Sequence, residues 1–318
     1  MKLKIKKLLF SLCENSRRKT KELAKLTRSS QQAASYLVKQ YKKKNYIQSF
    51  TTIIDPVKFG FINIVVGFDF LNLEYSKKRT MLQELSSNAN IILIEENQQG
   101  VDLLVEYSVL NMSAFNKIHS EIIKRFRGEI SAKFIYPIIV KHRFEKNYLV
   151  RKPNEKDIIL CGDREKTELT ENEKNVLTKI FRHPDKSISQ VAVKTGLTSK
   201  TVMKIKANLE KNSIIKGYSC ILNHSKLGIN RHHIFLNFKD EGVEFIDKFV
   251  QFARMHKNIV TLVKLLGHYQ VMITVEELKS VDVLRQIRAE FPTQDYLVLK
   301  SEKILKKHSF PLEDWIKS

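Results

Sequence analysis

The chain has 318 residues, 42% of them hydrophobic, and 56 Lys and Arg against 34 Asp and Glu, a net charge of +22. At roughly 100–200 residues per domain, this length implies two to four domains, and no stretch reaches the ~18 uncharged apolar residues of a membrane span. Cys13, Cys161 and Cys220 are too scattered for a disulfide framework or a zinc knuckle, which fits a reducing compartment.

Residues 1–44 hold fourteen Lys and Arg against two Glu, a charge of +12. The apolar run Leu8 to Leu12 is too short for a signal peptide, and Leu12 is unsuited to a cleavage site, so the expectation is a cytoplasmic, nucleoid-associated protein. Apolar spacing predicts helices over about 2–14, 19–26 and 30–43, the last with Ala34, Leu37 and Tyr41 inward. A strand follows near Ile47, then the phrase Asp55-Pro56-Val57-Lys58-Phe59-Gly60. Beyond it the pattern reads as a strand over 62–71, a helix over 77–87, strands over 91–97 and 101–110, a helix over 113–127 and a strand over 130–140. Residues 144–170 are polar, balanced in charge and contain Pro153 and Gly162, which predicts a linker.

The second half repeats the plan. Residues 171–217 hold ten Lys and Arg against four acidic residues, a charge of +6. Thr170 and Glu173 form a capping box that opens a helix over 171–181, ended by His183-Pro184-Asp185. A short helix over 187–195 is closed by Gly196 at its C′ position. Thr198 caps a third helix to about 212, with Val202, Ile205 and Leu209 inward. Two short helices around a glycine turn form a helix-turn-helix, and the alternation over 214–222 predicts a strand or wing. A strand over 231–239, a helix over 243–255, strands over 259–265 and 269–275, a helix over 281–291 and a strand over 295–302 complete the chain. Ile47 falls on Ile215 and Gly60 on Gly228, both 168 residues apart, and Arg28 stands where the second copy has Gly196.

The fold class is therefore α+β, with two winged helix-turn-helix domains and two ferredoxin-like βαββαβ domains in tandem. The expected division is 1–54, 55–143, a linker over 144–170, 171–222 and 223–318. Eighteen of the 22 excess charges lie in the first segment of each copy, the footprint of a polyanion such as double-stranded DNA. The candidate DNA contacts are Ser29, Ser30, Gln31, Gln32, Tyr36, Lys39 and Lys43 in copy one, and Thr198, Ser199, Lys200, Thr201, Lys204, Lys206 and Lys211 in copy two. Gln pairs with adenine and Lys donates to guanine, and the differing side chains predict two unlike half-sites.

His232 and His233 are strand neighbours on opposite faces and cannot share a metal. With His256 and His268 they read as surface histidines, and Asp69, Glu95, Glu96 and Asp102 read as solvated strand ends. Glycine-rich phosphate loops, nucleophile elbows and metal motifs are absent, so the expectation is no cofactor, no metal and no enzyme activity.

The phrases Thr198-Ser199-Lys200-Thr201-Val202, Ile214-Ile215-Lys216-Gly217-Tyr218 and Asn223 through Gly228, followed by βαββαβ, resemble the Lrp/AsnC (feast/famine) transcription regulators. The resemblance implies a DNA-binding regulator whose sheet (RAM-type) domains pair, here a dimer written in one chain and able to associate further through those domains. It also implies a small effector such as an amino acid near the hairpin between the middle strands, at Gly100 and Asp102 in copy one and at Gly267, His268 and Tyr269 in copy two. Gln270 departs from the family's preference for Asp. The alternatives are a nucleoid-type architectural protein of low sequence specificity, and an enzyme like the siroheme decarboxylases, which resemble the same family. The two segments at +12 and +6 are superfluous for such an enzyme.

Overall fold

The computed structural model of the protein describes residues 3–150, 156–162, 165–240 and 242–316. Lys2 and Pro153, expected in the first helix and the linker, lie outside the described residues.

The first half opens with α1 (Leu3–Glu14), α2 (Thr20–Thr27) and α3 (Gln31–Lys43), packed on buried Leu8, Leu9, Leu12, Leu23 and Ala34. Ser30 caps α3 by accepting from the Ala33 amide at 3.1 Å. Then follow β1 (Ile47–Ile54), a 3-10 turn over Pro56–Phe59, β2 (Ile62–Phe70), α4 (Tyr75–Ser87), β3 (Ile91–Gln99), β4 (Leu103–Val109), α5 (Met112–Arg125) and β5 (Ile130–Phe144). The stretch expected as a linker holds a 3-10 turn at Asn147–Leu149, whose Tyr148 and Leu149 pack in the core of the first three helices, and a strand, β6 (Asp157–Cys161).

The second half repeats the order with α6 (Glu171–Arg182), α7 (Ile188–Thr195), α8 (Ser199–Lys211), β7 (Ile215–Leu222), a single turn α9 (His224–Leu227), β8 (Asn230–Phe238), α10 (Val243–Met255), β9 (Ile259–Leu265), β10 (Val271–Glu277), α11 (Val283–Glu290), β11 (Thr293–Lys307) and a closing turn α12 (Leu312–Trp315). Thr170 and Ser187 each head a reciprocal capping box, and Thr198 caps α8. The 168-residue offset holds from α1 and α6 (Leu3, Glu171) through β4 and β10 (Leu103, Val271).

Two pairings join the halves. β1 runs antiparallel to β7, with Thr51 opposite Ser219, so each helix-turn-helix lends its wing to the other. Arg17 reinforces this by donating to the carbonyls of Pro184 and Lys186 at 3.0 and 2.8 Å. Cys13 and Cys220, far apart in sequence, meet with their Sγ atoms 3.3 Å apart where α1 crosses β7.

The second pairing closes a barrel. Each βαββαβ unit forms a sheet in the order β3-β4-β2-β5 or β9-β10-β8-β11, the ferredoxin-like arrangement. β5 is fifteen residues long; it pairs with β2 from Ile130 to Pro137, then crosses to β9 from Ile138 to Arg143. β11 does the same, leaving β8 for β3 and ending with Lys307 opposite Leu93. Eight strands thus form a ring, with β6 added beside β5. The sequence predicts shorter final strands, 130–140 and 295–302, because the overhangs are specified by partners in the other half and leave no local alternation.

Alternation sorts the side chains. Ile64, Val66 and Phe68 pack outward under α4 and α5, whereas Val65, Leu104, Phe134, Phe235, Val263, Met272 and Leu299 meet from both halves inside the ring. Gly67 lies among these inward positions because a Cβ there would come 2.5 Å from the Phe134 ring. Among the described residues no helix is long and apolar enough to cross a membrane.

Candidate nucleic-acid interface and barrel chamber

In both helix-turn-helix units the turn before the recognition helix is left-handed, Arg28 at φ 48° and Gly196 at φ 70°. Behind Arg28, the Thr27 hydroxyl bonds to the Leu23 carbonyl at 2.7 Å and meets Ser29 Oγ at 2.8 Å, bracing a turn that lacks glycine. Gln31, Gln32, Tyr36, Lys39 and Lys43 are exposed on α3, as are Ser199, Lys200, Lys204 and Lys211 on α8. Ser30 and Thr198 are exposed but spend their hydroxyls on capping, and Ser29 and Thr201 are half-buried. Lys206 is also half-buried; its ammonium bonds Glu210 at 2.6 Å and lies 5.3 Å from the centre of the Tyr218 ring. Lys42, at the end of α3, bonds Asp185 in the α6–α7 turn at 2.9 Å and ties the two readers together.

At the hairpins expected to hold an effector, the two glycines run close to side chains of the other half. A Cβ on Gly100 would meet Leu299 at 2.2 Å, and one on Gly267 would meet the Tyr136 ring at 2.2 Å. Asp102 accepts from the Phe70 amide at 2.7 Å, and Gln270, 168 residues on, accepts from the Phe238 amide at 2.7 Å, so the Asp-to-Gln departure keeps the same bond. His268 and Tyr269 both reach Asp295, at 2.9 and 3.2 Å. None of these hairpin residues lines the chamber described next.

One end of the barrel interior is charged. A cavity of about 130 Å³ there is bordered by Lys141, Arg143, Lys146, Arg231, Lys307, Glu106 and Glu276, with apolar Val263 and Met272 behind. Arg231 bridges the halves: its Nε lies 2.9 Å from Glu95 Oε1 and its Nη1 2.7 Å from Glu276 Oε1. Glu276 also receives Lys146, Tyr148 Oη at 2.8 Å and His224 Nε2 at 3.0 Å. Glu106 takes Lys141 at 2.6 Å and the Asn63 amide at 2.7 Å. Burial alone would raise Glu95 and Glu276, but the cations around them outweigh it and hold both carboxyls well below the usual range. For His233 burial wins over its Glu95 partner, 3.0 Å away, and pushes the imidazole pKa down, so it is neutral at pH 7.

These positions correct two expectations. Glu95 is fully buried and His233 only 1% exposed, so neither is a solvated strand end or a surface histidine. Both occupy inward positions of the ring, a surface the separate sheets would have left open. His232 does point the other way, toward Glu277 at 3.4 Å. Asp69 and Glu96 lie near the surface and pair with Lys133 and Lys78. The missed signal was period-two polarity inside strands: Lys141 and Arg143, Arg231 and His233, Thr274 and Glu276 each share a face.

A second, more open cleft of about 460 Å³ adjoins the chamber, shares Leu222, His224 and Arg231 with it, and is bordered by Lys300 and Lys303 of β11. Among the described residues no group of His, Cys, Asp or Glu is arranged to hold a metal ion.

No protein-family model matches the chain. An uncharacterised HTH-type transcriptional regulator of Pyrococcus furiosus is 27% identical over 120 residues, 36% of this chain and 77% of that protein. The crystal structure of the siroheme decarboxylase NirDL follows this chain over 99% of its length and 97% of its own, at 13% identity and a TM-score of 0.60. Its co-complex with an iron-uroporphyrin III analogue gives 0.59 over the same shares. The expectation that the chain has no enzyme activity is thereby overturned: its tandem arrangement, end to end, is a fold that an enzyme uses.

Proposed function

We propose that the chain is a DNA-binding transcriptional regulator that reads an asymmetric duplex site through α3 and α8. The observation that carries this reading is the pair of exposed recognition faces, on segments of charge +12 and +6, joined into one body by the β1–β7 ladder. Fixed spacing between two readers sets half-site spacing, and unlike side chains on the two helices free the site from being a palindrome. The 120-residue likeness to an HTH-type regulator supports it. Footprinting on a selected site is the test: Lys200→Ala with Lys204→Ala should open one half of the footprint, and Gln31→Ala with Gln32→Ala the other. Equal loss in both halves from either pair would sink the asymmetric reading, and undiminished binding to random duplex would favour a charge-driven architectural protein.

A second reading rests on the cleft. Its volume of about 460 Å³ falls within the usual range of ligand pockets, roughly 300–1,000 Å³, and Lys300 and Lys303 suit the carboxylates of a tetrapyrrole. The end-to-end fold likeness to a siroheme decarboxylase supports it. Titration with an iron uroporphyrin, followed by its visible absorption and by release of carbon dioxide, tests this reading: an unshifted band at saturating protein removes it.

A further inference from the structure

Five Lys and Arg side chains border the 130 Å³ chamber, and three of them are matched to carboxylates. Lys141 has Glu106, Lys146 has Glu276, and Arg231 has Glu95 and Glu276. The other two are not: among the described residues, the Arg143 guanidinium donates only to the neutral Ser219 hydroxyl, and the Lys307 ammonium has no hydrogen-bond partner.

Their placement is related by the repeat. Arg143 lies opposite Thr261 on β9 and Lys307 opposite Leu93 on β3. Leu93 and Thr261 are 168 residues apart, so Arg143 and Lys307 occupy equivalent positions at the crossing ends of β5 and β11. The barrel thus presents to one chamber two cations, one from each half, that have no carboxylate as a hydrogen-bond partner.

We infer that the chamber is a receptor for a small dianion, held between Arg143 and Lys307, bearing either two carboxylates or one phosphate. Three arguments support it. With Lys307 in its charged form, five cations face Glu95, Glu106 and Glu276, so a bound dianion balances the set and holds that ammonium charged. An unpaired ion in a low-dielectric interior is costly, and a bound counter-ion removes that cost. The volume sets the size, because an engineered cavity of about 150 Å³ holds benzene, and a four-carbon dicarboxylate or a phosphate is of that order. The carboxyl facing Arg143 from α1 is Glu14, beyond ion-pair distance and pushed up to about 7 by burial and by Glu145, so it competes poorly for the guanidinium. Around Lys307 stand Arg231, Lys146, Glu276 and Glu95, with His233 and His308, both pushed down by burial, and His224, already on Glu276.

The inference stands apart from the DNA reading, since its readout is binding to the full chain. Calorimetric titration with succinate, inorganic phosphate and acetate separates the sources. At least one dianion should bind at one per chain, and acetate at least tenfold more weakly. Succinate alone identifies a dicarboxylate receptor, and phosphate alone a phosphate receptor. Arg143→Gln and Lys307→Met should each weaken the dianion at least tenfold, Lys307→Arg should stay within threefold, and Lys117→Ala on the outer helix α5 should have no effect. Thermal melts establish that each variant is folded, and Lys307→Met, which removes an unpaired buried cation, should melt no lower than the parent. Equal affinity for acetate, or undiminished dianion binding in both folded chamber variants, overturns the proposal.

Discussion

Arg231 and Glu95 meet at 2.9 Å across the boundary between the two halves, 136 residues apart in sequence, 5% and 0% exposed. The bond fastens β8 to β3 from inside the barrel, flanking the strand β11 that lies between them. Removing one partner leaves charge in the interior, which costs about 3–5 kcal/mol, whereas replacing a buried pair by apolar groups is often neutral. Arg231→Met should therefore lower unfolding stability by about 3–5 kcal/mol in urea, since it strands Glu95 and deprives Glu276 of one partner. Arg231→Met with Glu95→Leu should recover part of that loss. A double variant as unstable as the sum of the singles would show that the two residues act independently.

The same carboxylates predict the response to acid. Glu95 and Glu276 are raised by burial but lowered further by Arg231, Lys146 and their histidine neighbours, so their folded pKa values lie well below 4.5. A depressed carboxyl contributes stability that is fully present above its unfolded value and is lost as pH falls through the folded one. The urea midpoint should thus hold above about pH 5 and fall steeply below about pH 4.5. In Arg231→Met the fall should be shallower, because Glu95 no longer has its strongest counter-charge. An unchanged slope in that variant would place the acid-sensitive groups elsewhere.

Lys307 gives a trend of opposite sign. Burial first, then Arg231 and Lys146, push its pKa well below 10.5, against the pull of Glu276 and Glu95. The cost of charging it in the fold is complete below the folded pKa and fades as pH rises toward 10.5. In the absence of added anion, Lys307→Met should be more stable than the parent on the acid side of that window, with the gain shrinking above it. A gain that grows with pH would contradict the burial of this ammonium.

How much was legible in the sequence follows from where each signal resides. Caps are local: Thr170 with Glu173 and Gly196 announce helix ends within a few residues, and both form in the fold, whereas Ser187, expected inside its helix, caps it with Gln190. The ferredoxin-like order was equally readable from alternation. The ring was not, because β5 and β11 each change partner midway and their far halves match nothing nearby in sequence. Without the ring the inner face of each sheet looks like a wet surface, and Glu95 and His233 are read accordingly. Comparing the copies would have helped: Arg231 falls 168 residues after Asn63 and Glu276 after Ser108, polar residues in strands that are otherwise apolar.

The two left-handed turns invite a direct comparison. Arg28 and Gly196 adopt the same region at φ 48° and 70°, yet only glycine does so without a Cβ penalty of about 1–2 kcal/mol. Arg28→Gly should raise the stability of the first reader by up to about 1 kcal/mol, and Gly196→Ala should lower that of the second by about 1 kcal/mol. Nothing lies within 4 Å of a Cβ at Gly196, so the loss would be conformational rather than steric. Local amide exchange in α2 and α7 reads the two effects separately.

On α8 the structure distinguishes two lysines that the sequence alone treats alike. Lys204 is exposed, whereas Lys206 is held by Glu210 at 2.6 Å and by the face of Tyr218. Moving Lys206 to a phosphate would break that ion pair and uncover the ring, so its net gain on binding is small. Lys204 has neither tie and contributes its full charge. Each phosphate neutralised adds about 0.9 to the slope of log affinity against log salt. Lys204→Ala should weaken duplex binding and reduce that slope by about one, while Lys206→Ala should leave the slope nearly unchanged. Glu210→Gln sharpens the test: freeing Lys206 should steepen the slope, and a flat response would mean that this face of α8 does not meet the DNA backbone.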